Sequence, residues 1–188
     1  MWKATRITAD AASKMQIEAG ILLKSFDIAN PVEPADADIL CSTTGDYSIT
    51  CVPETINFFD DVNNITGRFK EAERITNWNC GLTVTSLDTT TEMFKFALGA
   101  ADIGSDGGVN PRDDFISTDF QDGLTWIADM VDDDKLLAVV MDNSISTGGV
   151  NLTTGKNKKG NLALTITPFK SLTNPTKCPM AFYVLNKV

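Results

Sequence analysis

The chain has 188 residues, 43% of them hydrophobic, which is enough for one domain with a proper core and too few for two comfortable ones. Lys plus Arg is 16 against 25 Asp plus Glu, a net charge of −9, and such a surface repels phosphate backbones rather than collecting them. Histidine is absent, which removes Ser-His-Asp and Cys-His catalysis and imidazole metal sites in one step.

The opening MWKATRITADAASKMQ lacks the apolar segment of a secretory signal, so the expectation is a protein that starts in a cytoplasm. A short helix is expected over Ala9–Gln16 and a first strand over Ile17–Lys24, with Gly20 as a bulge or a point of close backbone approach. Pro31 and Pro34 then break the chain. In ILCSTTGDYSITCV, Gly45-Asp46 is a good two-residue turn, predicting a hairpin with arms near Ile39–Thr43 and Tyr47–Val52. Pro53 closes the second arm or permits only an edge position beyond it. That register sets Cys41 opposite Thr50 and Leu40 opposite Cys51, so the two sulfurs face apart. None of Cys41, Cys51, Cys80 and Cys178 forms a C-x-x-C pair, which argues against a zinc or redox motif. The expectation is four free thiols, mostly buried as small apolar side chains.

Val52–Glu73 is short of core residues and too long for an ordinary hairpin loop. It carries Phe58, Phe59 and Val62 among Asp60, Asp61, Asn63 and Asn64. These apolar groups either tuck onto the domain's own core or serve as anchors for a partner. Arg74–Asp88 is the longest strand candidate, with Cys80, Leu82 and Val84 on one face and Gly81, Thr83 and Thr85 on the other. A capping box then starts a helix, with Thr89 as N-cap, Glu92 at N3, and a stripe of Phe94, Ala97, Leu98 and Ala101 ending at Gly99.

Asp102–Asp113 brushes the calcium-loop template, but Gly104 stands where the third-position ligand belongs, so a Gly/Asp-rich turn is the simpler expectation. Asp60-Asp61, Asp113-Asp114 and Asp132–Asp134 could in principle supply a carboxylate pair for glycoside hydrolysis, yet adjacent acids in loops are normally just solvated. DKLLAVVMDN reads as a strand covered on both faces, and its aliphatic run falls far short of the ~20 residues of a membrane helix. GKNKKGN is the one basic cluster: Lys156, Lys158 and Lys159 are a solvated turn or a charge handle for acids at Asp129 and Asp132–Asp134 of a neighbouring copy. GNLALTITPF alternates cleanly, and PMAFYVLNKV gives a last strand with Met180, Phe182 and Val184 on one side. The sum is a mainly β protein: a β-sandwich or barrel with one flanking helix.

Four segments, in this order, carry a resemblance: EAGILLKSFD with its following Pro-containing loop, STTGDYSITCVPETINFFDDVNN, RITNWNCGLTVTSLDTTTEMFKFALGAAD, and ISTGGVNLTTGKNKKGNLALTITP. Together they span most of the chain, which resembles the major tail, or tail tube, proteins of long-tailed bacteriophages. The resemblance implies a single β-sandwich-like domain, 1–188, that assembles as hexameric rings stacked into a tube in the virion tail. Sheets join edge to edge around a negative channel through which DNA passes without specific binding. Implied partners are further copies of the chain and other tail proteins, such as a terminator and a tape measure, with no membrane insertion, no cofactor and no catalytic residues. On this reading Phe58, Phe59, Asp60, Asp61, Val62, Lys156, Lys158 and Lys159 meet neighbouring subunits, and Gly81, Thr83 and Thr85 face the channel. The rivals are a decoration or tail-terminator protein, a carbohydrate-binding sandwich using Trp78, Trp126 and calcium, and an enzyme with converging carboxylates.

Overall fold

The computed structural model describes residue 14 and residues 20–62, 66–132, 134–156 and 158–188, with the backbone alone at 158 and 159. The helix expected over Ala9–Gln16 therefore lies, Lys14 aside, outside the described residues, as do Asn63, Asn64 and Asp133.

The fold is mainly β, with one α-helix among the described residues. Nine strands form one large antiparallel sheet in the order β11-β7-β6-β1-β2-β3-β10-β8, with β9 also paired to β10. In chain order these are β1 (Ile21–Leu23), β2 (Ile39–Asn57), β3 (Glu73–Ser86), β6 (Leu124–Asp129), β7 (Lys135–Met141), β8 (Ser144–Ser146), β9 (Asn151–Gly155), β10 (Lys158–Pro168) and β11 (Met180–Asn186). A separate hairpin, β4 (Ala101–Ile103) with β5 (Val109–Pro111), follows the helix α1 (Thr91–Leu98). The sheet is folded over its own inner face, in the manner of a sandwich. Leu22, Cys41, Trp126, Val139 and Met141 from one half meet Leu82, Val84, Leu162, Leu164 and Ile166 from the other, and Met93, Phe96 and Ala97 of α1 complete the cluster. Each fully buried Leu or Ile of this set contributes roughly 1.5–3 kcal/mol.

The period-two pattern explains β3 and β10. Leu82, Val84 and Ser86 are buried, and so are Leu162, Leu164 and Ile166, while Thr83, Ala163 and Thr165 are exposed between them. β7 is covered on both faces as expected, with Leu136, Ala138, Val139 and Met141 buried and its other apolar residues partly so. In β11 only Met180 is buried; Phe182 and Val184 stay 50% and 60% exposed, on a strand that has no partner on its outer edge among the described residues.

Several expectations are corrected. The Gly45 hairpin does not form. β2 runs unbroken for 19 residues, and Gly45, at φ 70°, serves an irregularity between Thr44 and Ser48 in its pairing with β3. The local turn chemistry is there, but β3 offers a partner on both sides of it, and continuing the ladder wins. Pro53 accordingly lies within β2, opposite Trp78, on a stretch with no strand along its other side among the described residues. The N-cap is Thr90 rather than Thr89: its hydroxyl accepts from Met93 N–H at 3.2 Å. The buried helix face shifts with it, to Met93, Phe96 and Ala97, leaving Phe94 and Leu98 half-buried.

Gly20 does mark a close approach. A Cβ there would lie 1.9 Å from the Ile127 carbonyl oxygen and 2.8 Å from the Trp126 ring, and its own carbonyl accepts from Thr43 N–H at 3.1 Å.

Candidate subunit interface and channel face

Val52–Glu73, expected as a loop, is instead a two-stranded ribbon closed by a turn. Val52–Asn57 of β2 pairs with Glu73–Asn79 of β3, with an irregularity between Glu54 and Thr55. Among the described residues neither stretch pairs with a third strand, because β1 meets β2 only at Ile39–Ser42 and β10 meets β3 only at Leu82–Ser86. The ribbon is therefore the β2–β3 ladder carried on past the rest of the sheet.

Its turn, residues 58–72, is internally braced where described. Phe58 N–H donates to Ala72 O at 3.1 Å, the Asn57 side-chain oxygen accepts from Phe59 N–H at 2.9 Å, and Asn57 and Ala72 are buried beneath. The Arg68 guanidinium grips Glu73 with two hydrogen bonds of 2.6 and 2.8 Å and reaches Thr55 at 3.3 Å. That guanidinium holds the Glu73 carboxyl below its usual range. Phe59 lies edge-on to Phe69, with ring centroids 6.2 Å apart.

Neither Phe58 nor Phe59 folds onto the sandwich core: Phe58 is 63% exposed, and Phe59 packs within the turn. Asp60, Asp61 and Val62 are exposed beside them, and the ribbon carries exposed apolar side chains on both faces: Val52 and Ile56 on one, and Ile75, opposite Thr55, on the other. Isolated surface apolar residues are ordinary, but several of them on a two-stranded element with no third strand among the described residues are not. Sequence reasoning missed Val52, Ile56 and Ile75. The signal was their spacing in two β-branched segments flanking the loop.

Lys156 is exposed at the β9–β10 turn, while the side chains of Lys158 and Lys159 lie outside the description. The acids expected to complement them are partly engaged within the chain: Asp129 pairs with Lys187 at 2.8 Å and Asp132 with Lys135 at 2.7 Å. The Lys135 ammonium pulls the Asp132 carboxyl below its usual range.

Gly81, Thr83 and Thr85 occupy the outer face of β3, away from the core. Register extends that face across three strands. Gly81 lies opposite Thr50, Thr83 lies between Ser48 and Thr165, and Thr85 lies between Thr44 and Ala163. These positions form a patch of small, uncharged side chains, flat by composition and without a cation to hold a phosphate.

The other candidate sites resolve structurally. Asp102–Asp113 is the β4–β5 hairpin, whose tight turn uses the Asp106 carboxylate to accept from Gly108 N–H at 3.0 Å. Arg112 takes up Asp102 at 3.0 Å and the buried Asp119 at 2.6 Å, so the loop's first acid already has a cation beside it. Trp126 is completely buried, with its ring 4.6 Å from that of Tyr47, and has no face to offer a sugar.

The four cysteines are free thiols, but their placement differs from expectation. Only Cys41 is a buried small apolar group, and burial pushes its thiol up to about 11. Cys51, Cys80 and Cys178 are half-buried and meet at the base of the ribbon. Partial burial, with the neighbouring sulfurs, raises the Cys51 and Cys80 thiols as well.

No helix among the described residues is long and apolar enough to cross a membrane. No protein-family model matches the chain, and no curated protein matches it in a sequence search.

Proposed function

We propose that this chain is a structural subunit that polymerises with copies of itself into stacked rings, forming a tail tube of the long-tailed phage type through which DNA passes. The observation that carries the reading is the β2–β3 ribbon. Among the described residues it has no third strand, its turn is braced from within, and Val52, Ile56, Phe58 and Ile75 lie exposed along it. An element of this kind buries its apolar groups only against another molecule.

Two further features support the same reading. Among the described residues β11 is an edge strand with Phe182, Tyr183 and Val184 exposed, and β9 has no partner on its outer side at the other end of the sheet. Head-to-tail pairing of unlike edges generates a closed ring when the rotation between copies closes. The outer face around Thr83 suits a channel lining, since its described residues include no cation to trap passing DNA, and the −9 net charge acts in the same direction.

Negative-stain electron microscopy of the purified chain over a concentration series tests the proposal. Rings or tubes are the expected result. A protein that stays monomeric at every concentration, with and without preformed tube ends as nuclei, overturns it. Compact oligomers that never elongate would favour a decoration or terminator role.

A further inference from the structure

Cys51, Cys80 and Cys178 are far apart in the sequence, and three separate devices bring them together. Cys51 and Cys80 are direct partners in the β2–β3 register, which sets facing side chains about 4.5–5.5 Å apart at Cβ. Cys178 arrives from the connection between β10 and β11. It is held there by an ion pair between Lys177 and Asp142 and by a 2.9 Å hydrogen bond from Asp142 N–H to Pro179 O.

The three Sγ atoms lie 3.3 Å (Cys51 to Cys80), 3.7 Å (Cys51 to Cys178) and 3.8 Å (Cys80 to Cys178) apart. Zinc–thiolate bonds of about 2.3 Å in a tetrahedron set sulfurs roughly 3.8 Å apart, and two of the three spacings match this. A point about 2.3 Å from all three sulfurs exists, about 1 Å out of their plane, close to where a tetrahedral centre stands above three of its ligands. The fourth corner is left to solvent, to which the half-buried sulfurs give access. Three soft donors with no imidazole in the chain select thiophilic ions over calcium or magnesium. Two of the donors sit on paired strands, the placement that best preorganises a site.

We propose that Cys51, Cys80 and Cys178 form a thiolate site for one soft d10 cation, Zn2+ or Cu+, which clamps the base of the ribbon to the β10–β11 connection. Each thiol passes its proton to solvent as its sulfur–metal bond forms, and no oxidant or reductant is needed. The site is independent of assembly and is testable on the monomer.

The full chain, reduced with a phosphine and stripped with a chelator, is titrated with Zn2+ in one arm and, without oxygen, with Cu+ in another. Each titration runs in competition with a chromophoric chelator. The expected result is one ion per chain in at least one arm, which also identifies the preferred ion. Binding weakens by at least about tenfold in Cys178→Ser and stays within about twofold in Cys41→Ser. Alkylation of the native chain with mass-spectrometric readout gives a second test without a variant: the metal protects Cys51, Cys80 and Cys178 together. Lack of stoichiometric uptake in both arms, uptake that survives Cys178→Ser, or alkylation indifferent to metal overturns the proposal.

Discussion

The triple variant Ile56→Thr, Phe58→Ser, Ile75→Thr removes three apolar groups from the ribbon while keeping β-branched residues at both strand positions. The side chains are 46%, 63% and 53% exposed in the free subunit. Complete burial of such a side chain is worth roughly 1.5–3 kcal/mol, so covering the exposed half of each contributes about 1 kcal/mol. The three together make about 3 kcal/mol per ribbon, or about a hundredfold in the contact's equilibrium constant. Assembly followed by sedimentation velocity and electron microscopy should need about a hundredfold higher concentration. Urea unfolding of the monomer should move by under about 0.5 kcal/mol per site, since exposed substitutions rarely do more. An unchanged assembly threshold with intact folding would refute the reasoning. So would a monomer destabilised by about 3 kcal/mol, because it would mean that these groups already pack within their own subunit.

Three other outcomes follow from the same structure. Gly20→Ala should fail to fold, or lose at least about 3 kcal/mol in urea unfolding, because its Cβ would sit 1.9 Å from a backbone oxygen that cannot swing aside. Raising the pH from 9 to 11 should destabilise the monomer by about 2 kcal/mol through Cys41 alone: the unfolded thiol ionises above 9.0 while the folded one holds its proton to about 11, and Cys41→Ala should remove that share of the slope. Thr83→Lys with Thr85→Lys should give assembled tubes that retain DNA at low salt and release it as salt rises, seen by co-sedimentation; tubes indifferent to DNA would move the channel to another face.

Much of the fold was legible where one face is buried and the other wet. Leu82 and Val84 in β3, and Leu162, Leu164 and Ile166 in β10, alternate as a half-buried sheet requires, and those strands lie where the pattern places them. The Gly45 turn failed because turn chemistry is local, whereas the choice between turning and continuing is settled by what lies alongside. A single β3 spanning both sides of Gly45 made the straight course the better-bonded one. Of the ribbon, the β3 side falls within the predicted Arg74–Asp88 strand, whereas 53–57 of β2 reads as loop because Pro53 signals a strand end and, without a core face to bury, the stretch carries no period-two signature. The cysteine cluster was hidden by the same error. Once β2 pairs with β3 through the turn at 58–72, Cys51 and Cys80 lie 14 and 15 residues from the turn's centre, and the one-residue irregularity between Glu54 and Thr55 brings them face to face. Nothing in the sequence brings Cys178 to them, since that contact depends on where β11 joins β7.

The continuity of β2 also bears on how the proposed tube could hold together. A flexible arm would lose conformational freedom each time it docked, about 1–2 kcal/mol per backbone residue ordered. This ribbon is an extension of two strands already fixed by the core, with β2 pinned by β1 at its start and by β3 along its length. Its direction is therefore set before any partner arrives. A bare two-stranded ribbon is marginal in water, and an open apolar edge such as Phe182–Val184 is a standing invitation to aggregate. Both features are costly in a protein that works alone. In the proposed ring they would become the same asset, because the subunit that covers the ribbon of one copy would present its own ribbon to the next, and assembly would remove these apolar surfaces from water.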